Sequence, residues 1–538
     1  MRVLLIDPPG AGHGLNAGLA SIASYLKQFG HEIKVVDVNN DRENVNERVL
    51  KALDWKPEVI GISVIFTFNK PRVFEIAKLC KQKCNAPIML GGPGATIDYE
   101  NLLKEGNDCI DWIAIGEAEE TILDFINHVK DGSDWHDMEG MAYWNSHEDA
   151  VVKNKFREFI KNLDDLPFPD YTDFDTFNGK FSGKIDTYVI ITSRGCPYDC
   201  VFCANKTISR RRFRVRSPRN VVDELKHARD FYKTKTVLIG DDNYTLDMKR
   251  AKDISYLMIK ENVIIPYVMY DGIRADKVDY ELAYLLKKTG CLEVSIGIEN
   301  GDEETFKYVQ KGEKLSDIER CCKLLNQVGI PTRGFVIIGL INTTKESDKR
   351  SLEFVKKLRI RANWNVAIYY PGMQLYAWVM KNGRLLKKEI AVENQLVQCP
   401  PVVFFDTVEY PAEDRIFMYK LANLQCKNYY FLYGRNKDIS WLRKFSQIMK
   451  VAWDVDRKRT LYYAYDYWAT LAKLGIKKYK KPDLTITEKE RQKILSGQIK
   501  EPEETASLLS FSRFRKKNGK SQANGHVVDD NLEEKVVA

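Results

Sequence analysis

Residues 192–207 read TSRGCPYDCVFCANKT, and this stretch decides how the rest of the chain is interpreted. Three cysteines, Cys196, Cys200 and Cys203, directly follow the apolar run YVIIT. A structural zinc site takes four ligands, usually in two close pairs. The next cysteine or histidine after this group is His227, so no second pair is at hand. The spacing therefore disfavours a zinc site.

Three thiols without a fourth also disfavour the other common uses of cysteine. An odd group in an apparently intracellular chain does not suit a disulfide framework, and a redox pair needs only two thiols. An iron–sulfur cluster fits, because thiolates hold such clusters and three of them leave one iron open to an outside ligand. The stretch predicts a cluster with one open coordination position.

Composition predicts a folded protein of two or three domains. The chain has 538 residues, of which 44% are hydrophobic and 11% aromatic. No apolar stretch approaches the roughly 20 residues that span a bilayer, and MRVLLIDPPG resembles a first strand rather than a signal peptide. We expect a cytoplasmic protein whose eleven cysteines are thiols or metal ligands. The net charge of +8 permits anionic partners without requiring them.

The first 150 residues alternate between strand-like and helix-like segments. Apolar runs such as RVLLIDP and EVIGISVI are typical of parallel strands covered on both faces. Five such units predict a doubly wound α/β domain over residues 1–150, with its ligand site at the carboxyl ends of the strands. GMAYWN and DAVVKN predict a hairpin that leaves this domain. LDDLPFPDYTDF, with its prolines and aspartates, predicts a linker over residues 151–185.

A second alternating series starts at Tyr188. Six strand candidates predict an open sheet or a partial (β/α)6 barrel over residues 186–398, with its chemistry at the strand carboxyl ends. They read YVIIT, KTVLIGD, IPYVMYD, LEVSIGIEN, TRGFVIIGL and NVAIYYPG. Residues 399–482 are rich in tyrosine and tryptophan at helical spacing and predict a helical cap. The polar residues 483–538 predict a disordered tail.

The cysteine motif C-x3-C-x2-C, placed after the first strand of a partial barrel, resembles that of the radical S-adenosylmethionine (SAM) enzymes. In that family the open iron of a four-iron four-sulfur cluster chelates SAM. One electron from the cluster cleaves SAM and gives a 5′-deoxyadenosyl radical, which abstracts hydrogen from the substrate. The resemblance implies that the three cysteines hold the cluster, and that an external donor such as flavodoxin or ferredoxin reduces it.

Other segments agree with this resemblance. GDDNYT, DGIRAD and GIENGDEE stand where the family places polar residues after its second, third and fourth strands, although FVIIGLINTTKES lacks the GLPGET-like sequence common after the fifth. Each acid can instead cap the following helix, and the arginine can form a surface pair. By position, the resemblance implies that the residues contacting SAM are Phe202, Asp241, Asp242, Arg274 and Glu299.

Residues 1–150 resemble the cobalamin-binding domain that many radical SAM enzymes carry before the barrel. PIMLGGPGATI resembles its glycine-rich turn, where glycine permits close approach to a bulky ligand, and IGEAEETI resembles its GEGEET-like end. The alternative is a plain doubly wound domain whose glycines only turn the chain. The resemblance implies that the cobalamin contacts are Pro9, Ser63, Gly91, Gly92, Thr96, Gly116 and Glu117.

The histidine that ligates cobalt in many cobalamin proteins is not evident. It belongs to a DxHxxG motif, whereas this chain has DPPGAGHGLN, in which Asp7 and His13 are spaced differently. His13 is therefore better interpreted as a loop histidine. Radical SAM relatives often lack this ligand, so its absence does not exclude cobalamin.

The two cofactors together imply methylation of an unactivated carbon in a small-molecule or lipid substrate. The substrate would lie between cluster and cobalt, in a gap that excludes water. The same architecture also serves oxidoreductases, cyclases and hydroxylases. An RNA methylthiotransferase is disfavoured, because Cys80, Cys84 and Cys109 do not stand at the strand ends where that family holds its second cluster.

Two alternatives of another class stay open. SRRRFRVR and RFRKK are basic runs that could bind RNA, although such runs are usually solvated faces, and we do not expect nucleic acid as a partner. YYAYDYWATLAKLGIKKYKK combines aromatic residues with lysines, as helices lying on a membrane surface do. Peripheral membrane contact would suit a lipid or polyisoprenoid substrate.

Overall fold

The computed structural model contains two successive α/β units followed by a helical region. It describes residues 1–10, 14–65, 69–387, 401–428, 432, 440–476, 484–499 and 501. His13 lies outside the described residues, so the interpretation of that residue stays a prediction.

The front unit is built on a seven-stranded sheet. Its order is β2-β1-β3-β4-β5-β6-β7, in which the first five strands are parallel and the last two antiparallel. The doubly wound fold is confirmed, but the predicted hairpin extends the sheet instead of leaving it. The strands are β1 (Arg2–Asp7), β2 (Glu32–Asp37), β3 (Val59–Ser63), β4 (Ile88–Gly91), β5 (Trp112–Ala114), β6 (Met141–Asn145) and β7 (Ala150–Lys153).

The front sheet is covered on both faces, which explains its continuous apolar runs. Along β1, Val3 and Leu5 enter one apolar core, whereas Leu4 and Ile6 enter a second core on the opposite face. Asn16 caps the first helix by accepting a hydrogen bond from the Leu19 amide. The helices are α1 (Ala17–Lys27), α2 (Val45–Leu53), α3 (Lys70–Lys83), α4 (Pro93–Ile97), α5 (Tyr99–Glu105) and α6 (Glu119–Asp131).

The segment predicted as a linker is packed between the two units. Phe174 forms a β-bridge with Val35 at the edge of the front sheet, just before the short helix α7 (Asp175–Asn178). Tyr171 is buried and packs edge-on against Tyr188 and Tyr232 of the second unit. One apolar core therefore continues from the front sheet into the second unit.

The second unit is an open, parallel six-stranded sheet in the order β15-β14-β13-β12-β11-β8. Neighbouring strands of this sheet are consecutive among its six strands, which is the arrangement of a partial barrel. The first five predicted strands are confirmed. The sixth, predicted over NVAIYYPG from Asn365, lies earlier in the chain and overlaps the prediction only at Asn365 and Val366. Its strands are β8 (Thr187–Ile190), β11 (Thr236–Ile239), β12 (Tyr267–Ile273), β13 (Cys291–Glu299), β14 (Thr332–Ile338) and β15 (Arg361–Val366). A separate antiparallel pair follows β8 and consists of β9 (Ser193–Arg194) and β10 (Arg214–Val215).

Helices alternate with the barrel strands. Several begin at side-chain caps, such as Ser217, Asp247, Asp279 and Thr344, whose oxygens accept hydrogen bonds from the first turn. The helices are α8 (Asn205–Ser209), α9 (Pro218–Asp230), α10 (Met248–Lys260), α11 (Tyr280–Thr289), α12 (Glu303–Phe306), α13 (Leu315–Gln327) and α14 (Lys345–Leu358).

The helical region after the barrel is confirmed. Its anchor is Arg415, a buried side chain that donates hydrogen bonds to the carbonyls of Phe405 and Tyr410. Among the described residues, no helix is both long and apolar enough to cross a membrane. The region contains α15 (Gln374–Asn382), β16 (Arg384–Leu385), β17 (Phe405–Asp406), α16 (Ala412–Gln425), α17 (Trp441–Asp456) and α18 (Thr460–Ile476).

The prediction of a disordered tail from residue 483 is wrong for residues 484–499. They contain a further helix, α19 (Glu488–Leu495), whose Ile494 is buried against Ile259 and Leu285 of the barrel helices. Glu490 pairs with Lys288 at 2.5 Å. The segment is mostly polar because only one side of the helix is covered, so composition alone could not reveal it.

Candidate active site

The three cysteines lie on the loop between β9 and α8, at the carboxyl edge of the barrel, and all three are half-buried. The loop turns at Gly195, whose φ is +86°. A Cβ atom there would come within 2.0 Å of the Arg212 carbonyl oxygen. Glycine is required at this position both by its conformation and by the close approach of the returning chain.

The thiols influence one another and are held by polar neighbours. Burial, together with the nearby Cys203 and Cys196 thiols, raises the pKa of Cys200 to about 12, and burial raises that of Cys203 to about 11. The Asn205 amide donates to Cys203 Sγ at 3.4 Å, and Asn243 Nδ2 lies 3.9 Å from Cys196 Sγ. Binding to iron would deprotonate the thiols.

This set of donors fits an iron–sulfur cluster better than a single ion. In the part of the chain that the structure describes, no three His, Cys, Asp or Glu residues converge on one metal ion. A cluster does not require such convergence, because each thiolate binds its own iron. The assignment of the three cysteines as cluster ligands stays a prediction.

The two aspartates after β11 have different surroundings. Asp241 is buried, and its carboxylate accepts hydrogen bonds from the Thr192 amide at 2.6 Å, the Thr192 hydroxyl at 2.5 Å and the Ser193 hydroxyl at 2.6 Å. Asp242 is exposed at the strand end and accepts from the Gly195 amide at 3.1 Å. Asp241 therefore fixes the start of the cysteine loop, whereas Asp242 has an open side toward a ligand.

Arg274, after β12, is occupied by the chain itself. Its guanidinium donates to Asp276 at 2.8 Å and to the carbonyls of Lys311 and Gly312 at 2.6 and 3.1 Å. It also stacks over the ring of Tyr198, with its Cζ atom 3.6 Å from the ring centroid. The expected pair with Asp276 is present. The Arg274 side chain is nevertheless buried, and it connects the loop after β13 to the cysteine loop.

Glu299 ends β13 in a left-handed conformation with φ +60°. Its side chain is buried, and burial raises its pKa, although Lys311 at 3.4 Å acts in the opposite direction. Phe202 is partly buried and packs against the apolar core beside the cysteines. The roles of these two residues toward SAM stay predictions.

At the carboxyl edge of the front sheet, three polar side chains form a connected group. Asn16 Nδ2 donates to Asp7 Oδ1 at 2.8 Å and lies 3.1 Å from the hydroxyl oxygen of Ser63. The second oxygen, Asp7 Oδ2, is buried and has no hydrogen-bond partner among the described residues. Burial and the neighbouring Asp37 raise the pKa of Asp7 to about 8. An unsatisfied polar atom at this edge fits a bound polar ligand such as cobalamin, whose corrin carries amide groups.

The glycine-rich turn is shaped mainly by contacts within the chain. Gly92 has a φ of +102°, and a Cβ atom on it would lie 2.9 Å from the Val64 carbonyl oxygen. The Thr96 hydroxyl accepts a hydrogen bond from the Gly116 amide at 3.0 Å, which joins this turn to the one after β5. Gly91 is paired with Ser63 on β3, and Pro9 is buried just after β1. All these residues lie at the predicted edge of the sheet, and their contacts to cobalamin stay predictions.

Glu117 connects the two domains. It accepts hydrogen bonds from Arg194 Nη1 at 2.9 Å and from the Arg214 guanidinium at 2.9 and 2.7 Å. Arg194 also pairs with Glu119 at 2.8 Å. Burial raises the pKa of Glu117, but the two arginines outweigh it and hold that pKa below its ordinary value. Because Arg194 stands two residues before the first cysteine, this ion pair joins the two candidate cofactor loops.

Helix α4, which carries the glycine-rich turn, also packs against α8, the helix after the cysteine loop. The structure thus brings the carboxyl edge of the front sheet next to that of the barrel. Five residues of this region had no role assigned from the sequence: Asn243, Lys311, Arg194, Arg214 and Gly195. Four of them lie in or beside segments with a local signal, since Arg194 and Gly195 precede the first cysteine, Asn243 belongs to GDDNYT and Arg214 begins RVRSPRNVVDEL, whereas Lys311 has none.

Family comparisons agree with this arrangement. The description "Radical SAM superfamily" matches residues 190–355, and "B12 binding domain" matches residues 1–126. An uncharacterized methyltransferase of Pyrococcus horikoshii is 29% identical over 399 residues, which cover 72% of this chain and 84% of that protein. An anaerobic magnesium-protoporphyrin IX monomethyl ester cyclase of Rubrivivax gelatinosus is 28% identical over 400 residues, covering 70% of this chain and 69% of that protein.

Among solved structures, the radical SAM methyltransferase TsrM of Kitasatospora setae, with cobalamin and a [4Fe-4S] cluster bound, has a similar fold. The TM-score is 0.62 at 16% identity, covering 84% of this chain and 90% of that one. Together these matches define an enzyme with a B12-binding domain and a radical SAM domain. The chain carries both of these domains and is similar to cobalamin-dependent radical SAM methyltransferases, and the cofactors that the two domains imply are a four-iron four-sulfur cluster, SAM and cobalamin. The predicted family, fold and cofactors are confirmed.

Proposed function

We propose that this enzyme methylates an unactivated carbon of a small-molecule or lipid substrate in the cytoplasm. The observation that carries the proposal is the ion pair between Glu117 and Arg194. It holds the turn after β5 of the front sheet against the start of the cysteine loop. A methyl group and a radical generated in separate domains must meet at one carbon, so the two sites need this proximity.

In this proposal, Cys196, Cys200 and Cys203 bind the cluster through their thiolates, and Phe202, Asp242 and Glu299 face SAM. When bound, the cluster and SAM supply a hydrogen-abstracting radical, and cobalamin supplies the methyl group. Asp241 and Arg274 would hold the surrounding loops instead of facing SAM, because their polar atoms bind the cysteine loop and the loop after β13. An external donor such as flavodoxin or ferredoxin would reduce the cluster.

On the front sheet, Ser63, Pro9 and Gly91 line the edge that cobalamin would occupy, and Gly92, Thr96 and Gly116 shape its turns. Asp7, protonated at neutral pH because its pKa is raised, would offer a hydrogen-bond donor to a corrin amide. The reaction would require a space from which bulk water is excluded.

The test uses protein reconstituted anaerobically with iron, sulfide and hydroxocobalamin. We expect SAM cleavage to 5′-deoxyadenosine by the parent protein and none by Cys200→Ala. Cys84→Ala, which removes another half-buried thiol outside the loop, is the matched control and should retain cleavage. Retained cleavage by Cys200→Ala would contradict the assignment of the cluster ligands.

A second candidate function is ring closure, which is favoured by the similarity to the Rubrivivax cyclase. SAM labelled in its methyl group distinguishes the two. Methylation predicts transfer of label to bound cobalamin in the reduced enzyme. Ring closure predicts SAM cleavage without that transfer.

We also propose peripheral membrane contact by helix α18, which would suit a lipid substrate. Its Leu461 and Tyr465, one turn apart, are 87% and 74% exposed, and Tyr462 and Trp468 are also exposed. Arg457, Lys458 and Arg459 precede the helix. Exposed aromatic and aliphatic side chains next to cations are typical of a surface that binds anionic lipid.

A further inference from the structure

A buried lysine that none of the predicted roles uses lies beside the cysteine loop. Lys311 belongs to the loop after β13, and 8% of its surface is exposed. The backbone on both sides of it is left-handed, with φ +55° at Gln310 and +70° at Gly312. Arg274 holds this loop through the carbonyls of Lys311 and Gly312. The position of Lys311 is therefore fixed by the backbone as well as by its side chain.

The ammonium of Lys311 bridges two carboxylates. It lies 3.1 Å from Glu313 Oε2 and 3.4 Å from Glu299 Oε1, and it donates to the Gly297 carbonyl. Burial lowers the pKa of Lys311, but Glu299 and Glu313 raise it by more, so the pKa lies above its ordinary value. The side chain thus carries a fixed positive charge in a buried setting.

This charge acts on the cysteine loop. The loop that carries Lys311 contacts the cysteine loop through Arg274, which donates to the Lys311 carbonyl and stacks over the ring of Tyr198. The loops are also joined directly, because the Val201 amide donates to the Val309 carbonyl at 3.2 Å. Water screens little between buried groups, so such an interaction is stronger here than at a surface.

We infer that Lys311 is a positioning residue that raises the reduction potential of the iron–sulfur cluster and holds Glu299 in its left-handed conformation. The inference rests on the proposed cluster at Cys196, Cys200 and Cys203. Reduction adds one electron to an anionic group of iron, sulfide and thiolates. A fixed cation beside one thiolate favours that electron, and cluster potentials depend on such nearby charge.

Two substitutions of opposite sign test the inference in reconstituted holoenzyme, without SAM, by redox titration followed by electron paramagnetic resonance. Lys311→Met removes the cation and leaves two carboxylates, so we expect the reduction equilibrium constant to fall about tenfold, or about 59 mV for one electron. Glu313→Gln removes one carboxylate and leaves more of the lysine charge uncompensated, so the constant should rise. Lys311→Arg keeps the charge and should stay within about twofold of the parent.

A merely structural role would not shift the potential in opposite directions. Unchanged potentials in Lys311→Met and Glu313→Gln, with parental iron content, would overturn the inference and leave the proposed function intact. If Lys311→Met binds no iron, the inference is tested with Glu313→Gln and Lys311→Arg alone. An unchanged potential in Glu313→Gln would then overturn the inference. Failure of the parent protein to bind four irons would instead refute the proposed function, and the inference with it.

Discussion

Arg194 of the barrel donates a hydrogen bond to Glu117 of the front domain at 2.9 Å, and it does so two residues before the first cysteine of the cluster motif. The same carboxylate also binds Arg214. Since both arginines are largely buried, the pair is a structural joint between the domains rather than a surface salt bridge.

Glu117→Gln should weaken this joint. It removes the charge and leaves two buried guanidinium groups without their shared partner, which costs about 3 kcal/mol in the free energy of unfolding. Because the pKa of Glu117 is held below its ordinary value, its stabilising effect is present at neutral pH and is lost as pH falls through that lowered pKa. Urea denaturation at neutral pH measures the loss.

The control is Glu120→Gln, three residues further along the chain in α6. Glu120 is 43% exposed and lies 3.9 Å from Arg157, so little destabilisation is expected. Equal losses in the two variants would contradict the assignment of Glu117 as the joint.

Gly195→Ala should disrupt the cysteine loop. The new Cβ atom would collide with the Arg212 carbonyl, so the chain must shift where it positions the thiols. We expect bound iron to fall to less than half of the parental content after reconstitution. Gly183→Ala is the matched control, because Gly183 also has a positive φ, +70°, but its Cβ atom would meet nothing within 4 Å. A parental iron content in Gly195→Ala would refute this account of the loop.

Asp7→Asn should change the pH dependence of stability. The pKa of Asp7 is raised from 3.8 to about 8, so the folded state keeps a proton that the unfolded state loses. Its stabilising contribution is complete below pH 4 and is lost as pH rises toward 8, at about 1.4 kcal/mol per pH unit between pH 5 and 7. The asparagine variant should lack this slope. Urea denaturation at pH 5, 6 and 7 measures it.

The control for this slope is Asp54→Asn, at the exposed end of α2. It should keep the pH profile of the parent protein. Parallel profiles for the parent and Asp7→Asn would show that Asp7 is not protonated in the folded state.

Membrane contact by α18 is tested by flotation with phosphatidylglycerol vesicles. We expect the parent protein to float and the double variant Leu461→Ser, Tyr465→Ser to lose at least half of that binding, because its most exposed apolar side chains are removed. Phe29→Ser, which removes an exposed aromatic side chain from the front domain, should bind like the parent. No flotation of the parent protein would end the proposal.

The strands of both α/β units were predictable because each is a short apolar run buried on both faces. Alternate residues of β1 are buried in two separate cores, so the strand must be apolar at successive positions, as it is at Val3, Leu4, Leu5 and Ile6. Helix α19 was not predictable, because a polar helix covered on one side by Ile494 has the composition of a tail. The three cysteines were evident from spacing alone.

The rest of the site depends on contacts between distant segments. Asp241 and Arg274 stood at the strand ends expected of SAM contacts, yet their polar atoms bind Thr192 and the carbonyl of Lys311. Glu117 matched a cobalamin-domain motif, whereas its partners are arginines of the next domain. Lys311 has no motif of its own, and only the fold brings its ammonium to Glu299.

One chain would hold both a cluster and cobalamin, in adjoining domains. The direct measurement is the content of iron and cobalamin per chain after anaerobic reconstitution and desalting, from chemical analysis and the visible spectrum. The account predicts about four irons and one cobalamin per chain. No retained cobalamin, with the cluster and SAM cleavage intact, would contradict it.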